Sequence, residues 1–231
     1  MIKAILFDLD GTLTRMDQEE FMHNYVGLLA PRFKHLISPD KFSKHIGRSI
    51  DIMIKEPKEG KTNQQVFFDD FTKATGLSFN TLWPIFEAFY AEDFSALRCL
   101  VKLNPSGKQV VESAIQQGYT VAIASNPVMP LIAIQERIRW AGLSPEVFTV
   151  VPSLESFHYC KPHLGFYEEL AQRLGLSPRE CMMVGNHPLE DLVAQKIGMK
   201  TFLVGTPSVE IQTDYAGDLT ELNKLVLRGN L

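Results

Sequence analysis

The chain has 231 residues, enough for one large domain or a core with a smaller companion. It is 45% hydrophobic and 22% charged with a formal net charge of -4, an ordinary globular composition that gives no basis for nucleic-acid binding by bulk electrostatics. No apolar run approaches the ~20 residues of a membrane span, the N-terminus shows no signal-peptide pattern, and three scattered cysteines (Cys99, Cys160, Cys181) read as reduced thiols of a cytoplasmic protein rather than a disulfide or zinc framework.

The first element is residues 2–7 (IKAILF), an apolar run that enters two aspartates, Asp8 and Asp10, before Gly11 and Thr12 end it. This pattern predicts a strand buried on both faces. The carboxyl end of such a strand is where open α/β sheets place ligands. Two carboxylates two positions apart repel when desolvated, so this edge predicts a cation or distinct roles for the two acids. An Asx-type turn is the structural alternative.

The next βα signal, a helix over about 105–117 feeding a strand at 119–124, is separated from Thr14 by 90 residues. A parallel crossover needs only a dozen or more residues, so 15–104 is expected to be an inserted domain. It holds 12 Lys/Arg and 12 Asp/Glu, and ten of the fifteen phenylalanines. Helical spacing of Phe21, Tyr25, Leu28 and Leu29, of Phe67, Phe68 and Phe71, and of Trp83, Phe86, Phe89 and Tyr90 predicts about four helices. Ser38 and Ser78 are candidate starts, and Pro31, the 57–61 stretch and Gly76 are breakers. The Phe stripes read as the core of a helical bundle rather than a substrate pocket.

Beyond 124, strands are expected at 147–151, 181–184 and 200–204. Helices are expected at about 131–140, 163–174, 188–196 and 219–227. Five short apolar strands alternating with helices predict an α/β fold with a doubly wound parallel sheet. The core is then 1–14 with 105–231.

Several stretches in this order carry chemistry. DLDGTLT at 8–14 resembles the first motif of the haloacid dehalogenase-like hydrolase superfamily, whose members are mostly phosphatases. Ser125-Asn126, at the end of the second strand, is similar to its second motif. Lys161-Pro162, followed by Phe166, is similar to the third. VGNHPLEDLVAQKIGM at 184–199 resembles the fourth, GDxxxxD with a following Gly-Met, through Gly185, Asp191, Gly198 and Met199. The resemblance spans essentially the whole chain and implies a Rossmann-like core whose helical insert caps the active site, in the branch of phosphoglycolate phosphatase and beta-phosphoglucomutase. His158 stands where many relatives have Gly. Asn186 stands where many have a metal-binding Asp.

Under this resemblance Asp8 is the candidate nucleophile, forming an aspartyl-phosphate. Asp10 is the candidate general acid–base, with a pKa raised relative to Asp8 and its side chain oriented by Thr12. Ser125 and Asn126 are expected to cradle phosphate oxygens, although a helix-cap role is the bland alternative. Lys161 is expected to neutralise developing charge.

Mg2+ is the implied cofactor, held by Asp8, the Asp10 carbonyl, Asn186 through its amide oxygen, and Asp191. The site is then weakened, or leans on Asp191 or Glu190. His187 lies beside the same edge. The expected activity is Mg2+-dependent hydrolysis of a small phosphorylated metabolite. The alternatives are a 2-haloacid dehalogenase-type hydrolase, against which Asp10 argues, and a non-catalytic relative that binds a phosphorylated ligand.

Overall fold

The computed structural model describes residues 1–207, 212–229 and 231. Strand β1 (Ala4–Phe7) is fully buried. A two-residue strand β2 (Thr14–Arg15) follows. Next come four helices: α1 (Gln18–Leu29), α2 (Pro39–Lys55), α3 (Asn63–Thr75) and α4 (Phe79–Glu92). The chain returns through β3 (Lys102–Leu103) to α5 (Pro105–Gln116), β4 (Thr120–Ile123), α6 (Leu131–Trp140), α7 (Leu164–Arg173), β5 (Cys181–Gly185), β6 (Lys200–Val204), β7 (Tyr215–Gly217) and α8 (Leu219–Arg228).

The main sheet runs β4-β1-β5-β6-β7 and every neighbouring pair is parallel. Side chains alternate across a strand, and the sequence fills both faces. Ile5 and Phe7 enter one apolar cluster with Val110, Val121 and Leu222, whereas Ala4 and Leu6 enter another with Phe157, Phe166 and Leu170. Helices α5 and α8 therefore cover one face and α7 the other, the doubly wound arrangement expected from the alternation of elements.

Two expected elements differ. Residues 147–151 are not a ladder strand: Pro145–Val147 forms a 3-10 turn. The extended residues beyond it make only two bonds along the edge of β4, Thr149 N–H to Val121 O at 2.9 Å and Ile123 N–H to Val150 O at 3.0 Å. The fifth strand of the sheet is β7. The helix expected at 188–196 is a set of turns running into a 3-10 segment, Leu192–Ile197, because Asp191 is drawn inward as described below.

Helices α1–α4 bear out the four expected between Thr14 and Pro105. Ser38 and Ser78 do start α2 and α4, and Ser78 accepts the Thr81 N–H. Nine of the ten phenylalanines in this stretch are buried, and Phe79 is the exception. Each buried ring contributes on the order of 2–3 kcal/mol. Rings stack at 4.6 Å (Phe33 on Phe42) and meet edge-on at 5.9 Å (Phe42 on Phe71), so most of the Phe stripe is bundle core.

Two attachments tie this helical layer to the sheet. Strands β2 and β3 pair antiparallel where the chain leaves and returns. In addition, the first turn of α3 bonds to the loop before Lys161: Asn63 N–H donates to Phe157 O at 2.7 Å and Gln64 N–H to Leu154 O at 2.8 Å.

Candidate functional site

Asp8 extends β1 by one residue, its N–H donating to Val184 O at 2.9 Å. Its carboxylate is buried at the carboxyl edge of the sheet. Lys161 Nζ donates to Asp8 Oδ1 at 2.9 Å and to Asp191 Oδ1 at 2.6 Å, and both Lys161 and Asp191 are at most 2% exposed. One ammonium is thus shared by two carboxylates. Burial disfavours the charge on Lys161, yet Asp8 and Asp191 together outweigh it and its pKa is raised. Asp8 has only half a counter-ion. Burial pushes its pKa up to about 6 against the pull of Lys161, and the like charge of Asp191 adds to the rise.

Asp191 Oδ2 accepts the His187 N–H at 2.9 Å, which closes the turn after β5 and fixes the carboxylate toward Lys161. This explains Gly185: a β-carbon there would overlap the Asp191 side chain. Gly11 is equally constrained. Its φ is +81°, and a β-carbon would lie 2.8 Å from Asn186 Cγ.

The second acid is not arranged as expected. Asp10 Oδ2 is paired with the Arg137 guanidinium, which comes from α6 and is 4% exposed. Burial lowers the Arg137 pKa to about 10, and the Asp8 charge opposes the shift. The guanidinium lies 5.9 Å from the Phe21 ring centroid, and its Nε has no partner among the described residues. In the metal-free site Asp8 is therefore shifted upward, and Asp10 has a counter-ion of its own in Arg137.

Arg137 is not among the sequence-predicted site residues, because its spacing fits an ordinary helix. The available signal was a cation on the apolar face of α6, among Ala133, Ile134 and Ile138.

Thr12 does not orient Asp10. Its hydroxyl donates to Asn186 Oδ1 at 3.1 Å, joining the first motif to the fourth. Asn126 Oδ1 accepts the Lys161 N–H at 3.2 Å, so its amide holds the lysine loop. Asp8, Asp10, Ser125, Asn126, Asn186 and Asp191 line one cavity of about 260 Å3, and His187 and Glu190 stand beside them. His158 lies outside it, with Nδ1 2.9 Å from Glu169 Oε1.

Among the described residues no three His, Cys, Asp or Glu side chains are grouped as a metal site. Asp191 is committed through both oxygens, one to Lys161 and one to the His187 N–H. What faces the cavity is Asp8, whose Oδ1 is the oxygen held by Lys161, and the Asn186 amide. Of the four acids lining the cavity, Asp8, Asp10 and Asp191 face only Lys161 and Arg137, so at least one negative charge is uncompensated. A hard cation that takes one or two carboxylates and completes its shell with water and phosphate fits this set.

A family model described as haloacid dehalogenase-like hydrolase matches residues 2–196. The chain is 24% identical to pyrophosphatase PpaX of Bacillus cereus, across 88% of this chain and 83% of that one. It is also 24% identical to a phosphoglycolate phosphatase of Vibrio parahaemolyticus, across 97% and 96%. A solved 2-haloacid dehalogenase of Pseudomonas syringae pv. Tomato superposes with a TM-score of 0.61 at 20% identity, covering 99% and 100% of the two chains. At that identity the superposition establishes the fold.

Proposed function

The chain belongs to the haloacid dehalogenase-like hydrolase family, and from that premise we propose that it is a Mg2+-dependent phosphatase acting on a small phosphomonoester through an aspartyl-phosphate. The observation that carries this reading is Lys161 held between Asp8 and Asp191 at the tip of β1, with Asp10 two residues on in the same cavity. The phosphatase names of the curated relatives point the same way.

In this reading Asp8 Oδ2 attacks phosphorus and the bond to the substrate alcohol breaks. Asp10 gives the departing oxygen its proton, then takes one from the water that cleaves the acyl phosphate, which restores Asp8. Arg137 occupies Oδ2 of Asp10 and leaves Oδ1 to carry that proton. Lys161 neutralises phosphoryl oxygens, and Asn126 and Asp191 hold it in place. Ser125 contributes its hydroxyl to the phosphate cradle. Asp8, the Asp10 carbonyl and Asn186 would hold Mg2+, with Asp191 kept for the lysine; the ion, when bound, supplies positive charge to the phosphoryl group. Residues 15–104 act as a cap that excludes water, over a core of 1–14 and 105–231.

The deciding experiment is hydrolysis of an aryl phosphate with Mg2+, with and without chelator, by wild type and Asp8→Asn. Activity that requires both the metal and Asp8 supports the reading; undiminished activity in Asp8→Asn refutes it. Asn186, an uncharged residue at the fourth motif, favours one competitor: metal-independent chloride release from a 2-haloacid would establish a dehalogenase instead.

A further inference from the structure

The wall facing the acids is built differently. Phe21, Met22 and Tyr25 of α1 and Ile50 and Ile54 of α2 line it, together with Met129. Met22, Ile50 and Ile54 are only half-buried: they pack against the bundle core and also present apolar surface to the cavity. The same wall continues into a smaller apolar cavity that shares Tyr25 and Ile50 and is closed by Phe67, Phe86 and Trp83. Its polar groups are few: the Gln18 side chain, and a Tyr25 hydroxyl already 2.7 Å from that of Tyr90.

The charges point the same way. Four acids line the main cavity, namely Asp8, Asp10, Glu190 and Asp191. Arg137 is the one arginine or lysine in the lining among the described residues, and Asp10 already holds it. A second anionic group on a substrate, whether a carboxylate or another phosphate, meets like charge with no free cation. Along the α1 and α2 wall a polyol meets too few partners for its hydroxyls, and an unpaired buried hydroxyl is unfavourable. An apolar group finds matching surface. At about 260 Å3 the cavity lies just below the ~300–1,000 Å3 of pockets for drug-sized ligands.

We propose that the substrate is the phosphomonoester of a small, uncharged, largely apolar alcohol, and that α1 and α2 select its hydrocarbon part. This rests on the phosphatase reading and narrows it away from the substrates in the relatives' names. The carbon chain lies against Met22, Ile50 and Ile54, remote from phosphorus.

The test is kcat/KM with Mg2+ for ethyl, n-butyl and isopentyl phosphate against phosphoglycolate, a hexitol phosphate and pyrophosphate. Primary alkyl esters keep the leaving group nearly constant, so differences report the wall. The expected result is a rise of about threefold to fourfold per added methylene, with n-butyl phosphate preferred over phosphoglycolate by tenfold or more. Met22→Lys and Ile54→Lys should each shift the n-butyl to phosphoglycolate ratio at least tenfold toward the acid, chiefly through KM. A flat alkyl series, or preference for phosphoglycolate, hexitol phosphate or pyrophosphate, overturns this inference and leaves the phosphatase standing. Absence of turnover with every phosphate overturns the phosphatase reading, and this inference with it. The wild-type series decides the matter even where a lysine variant fails to fold.

Discussion

Asp8 should destabilise the metal-free protein that depends on it. Its pKa is about 6 in the fold against 3.8 for the free side chain, a gap of about two units. At 1.36 kcal/mol per unit this is roughly 3 kcal/mol of unfavourable free energy when the group is ionised. The folded state binds the proton more tightly than the unfolded chain, so stability falls as pH rises from about 4 to about 6 and is level above that. Asp8→Asn removes the charge while keeping the shape. The pull of Lys161 is already contained in that pKa, so a net stabilisation of up to about 3 kcal/mol is expected at pH 7.5. For a chain of this size that is roughly 6–12 °C in Tm.

The assay is thermal and urea unfolding in EDTA, wild type against Asp8→Asn, at pH 7.5 and pH 4.5. At the lower pH the wild-type carboxyl is largely protonated and the difference should shrink to about a third. Adding Mg2+ at pH 7.5 should raise the Tm of wild type and leave Asp8→Asn nearly unmoved. An Asp8→Asn protein less stable than wild type at pH 7.5, or a gain equal at both pH values, would refute the electrostatic account.

Other outcomes follow from the same geometry. Arg137→Met leaves Asp10 without its buried partner and should cost about 3 kcal/mol by urea unfolding; the double variant with Asp10→Asn should recover most of that, and failure to recover would separate the two residues. Asn186→Asp adds a carboxylate to the proposed metal set, so the Mg2+ concentration for half-maximal activity should fall about tenfold or more; an unchanged metal titration would exclude Asn186 as a ligand. Asp191→Asn weakens the hold on Lys161 and should lower kcat on the order of a hundredfold with KM little changed. Gly185→Ala forces a β-carbon onto Asp191 and should reproduce that loss.

Asp8 and Asn186 were legible because they stand at strand ends, where AILF meets Asp8 and CMMVG meets Asn186, whereas Lys161 and Asp191 were legible through the motif resemblance. Partners were not legible. Thr12 bonds Asn186, 174 positions away, and nothing local to either residue announces it. Arg137 was hidden by a helical pattern that reads the same whether its long side chain faces water or a carboxylate. Residues 147–151 have strand composition, but Pro145 and the two-bond edge keep them out of the ladder. Strands β2 and β3 are two residues long, too short for any period to show.

The double fastening of the helical layer has a consequence for traffic into the cavity. Besides the two fastenings, Phe94 stacks on Trp140 of α6 at 5.3 Å, so the layer shifts most easily about the line through the fastenings. At Asn63 the side chain is held more loosely than the backbone. Its side-chain amide reaches Pro127 O and Tyr159 O at 3.4 Å each, and its own Oδ1 finds no partner among the described residues. Letting go there would free the backbone carbonyl two residues before Lys161, so the latch on the door is also a grip on the lysine behind it.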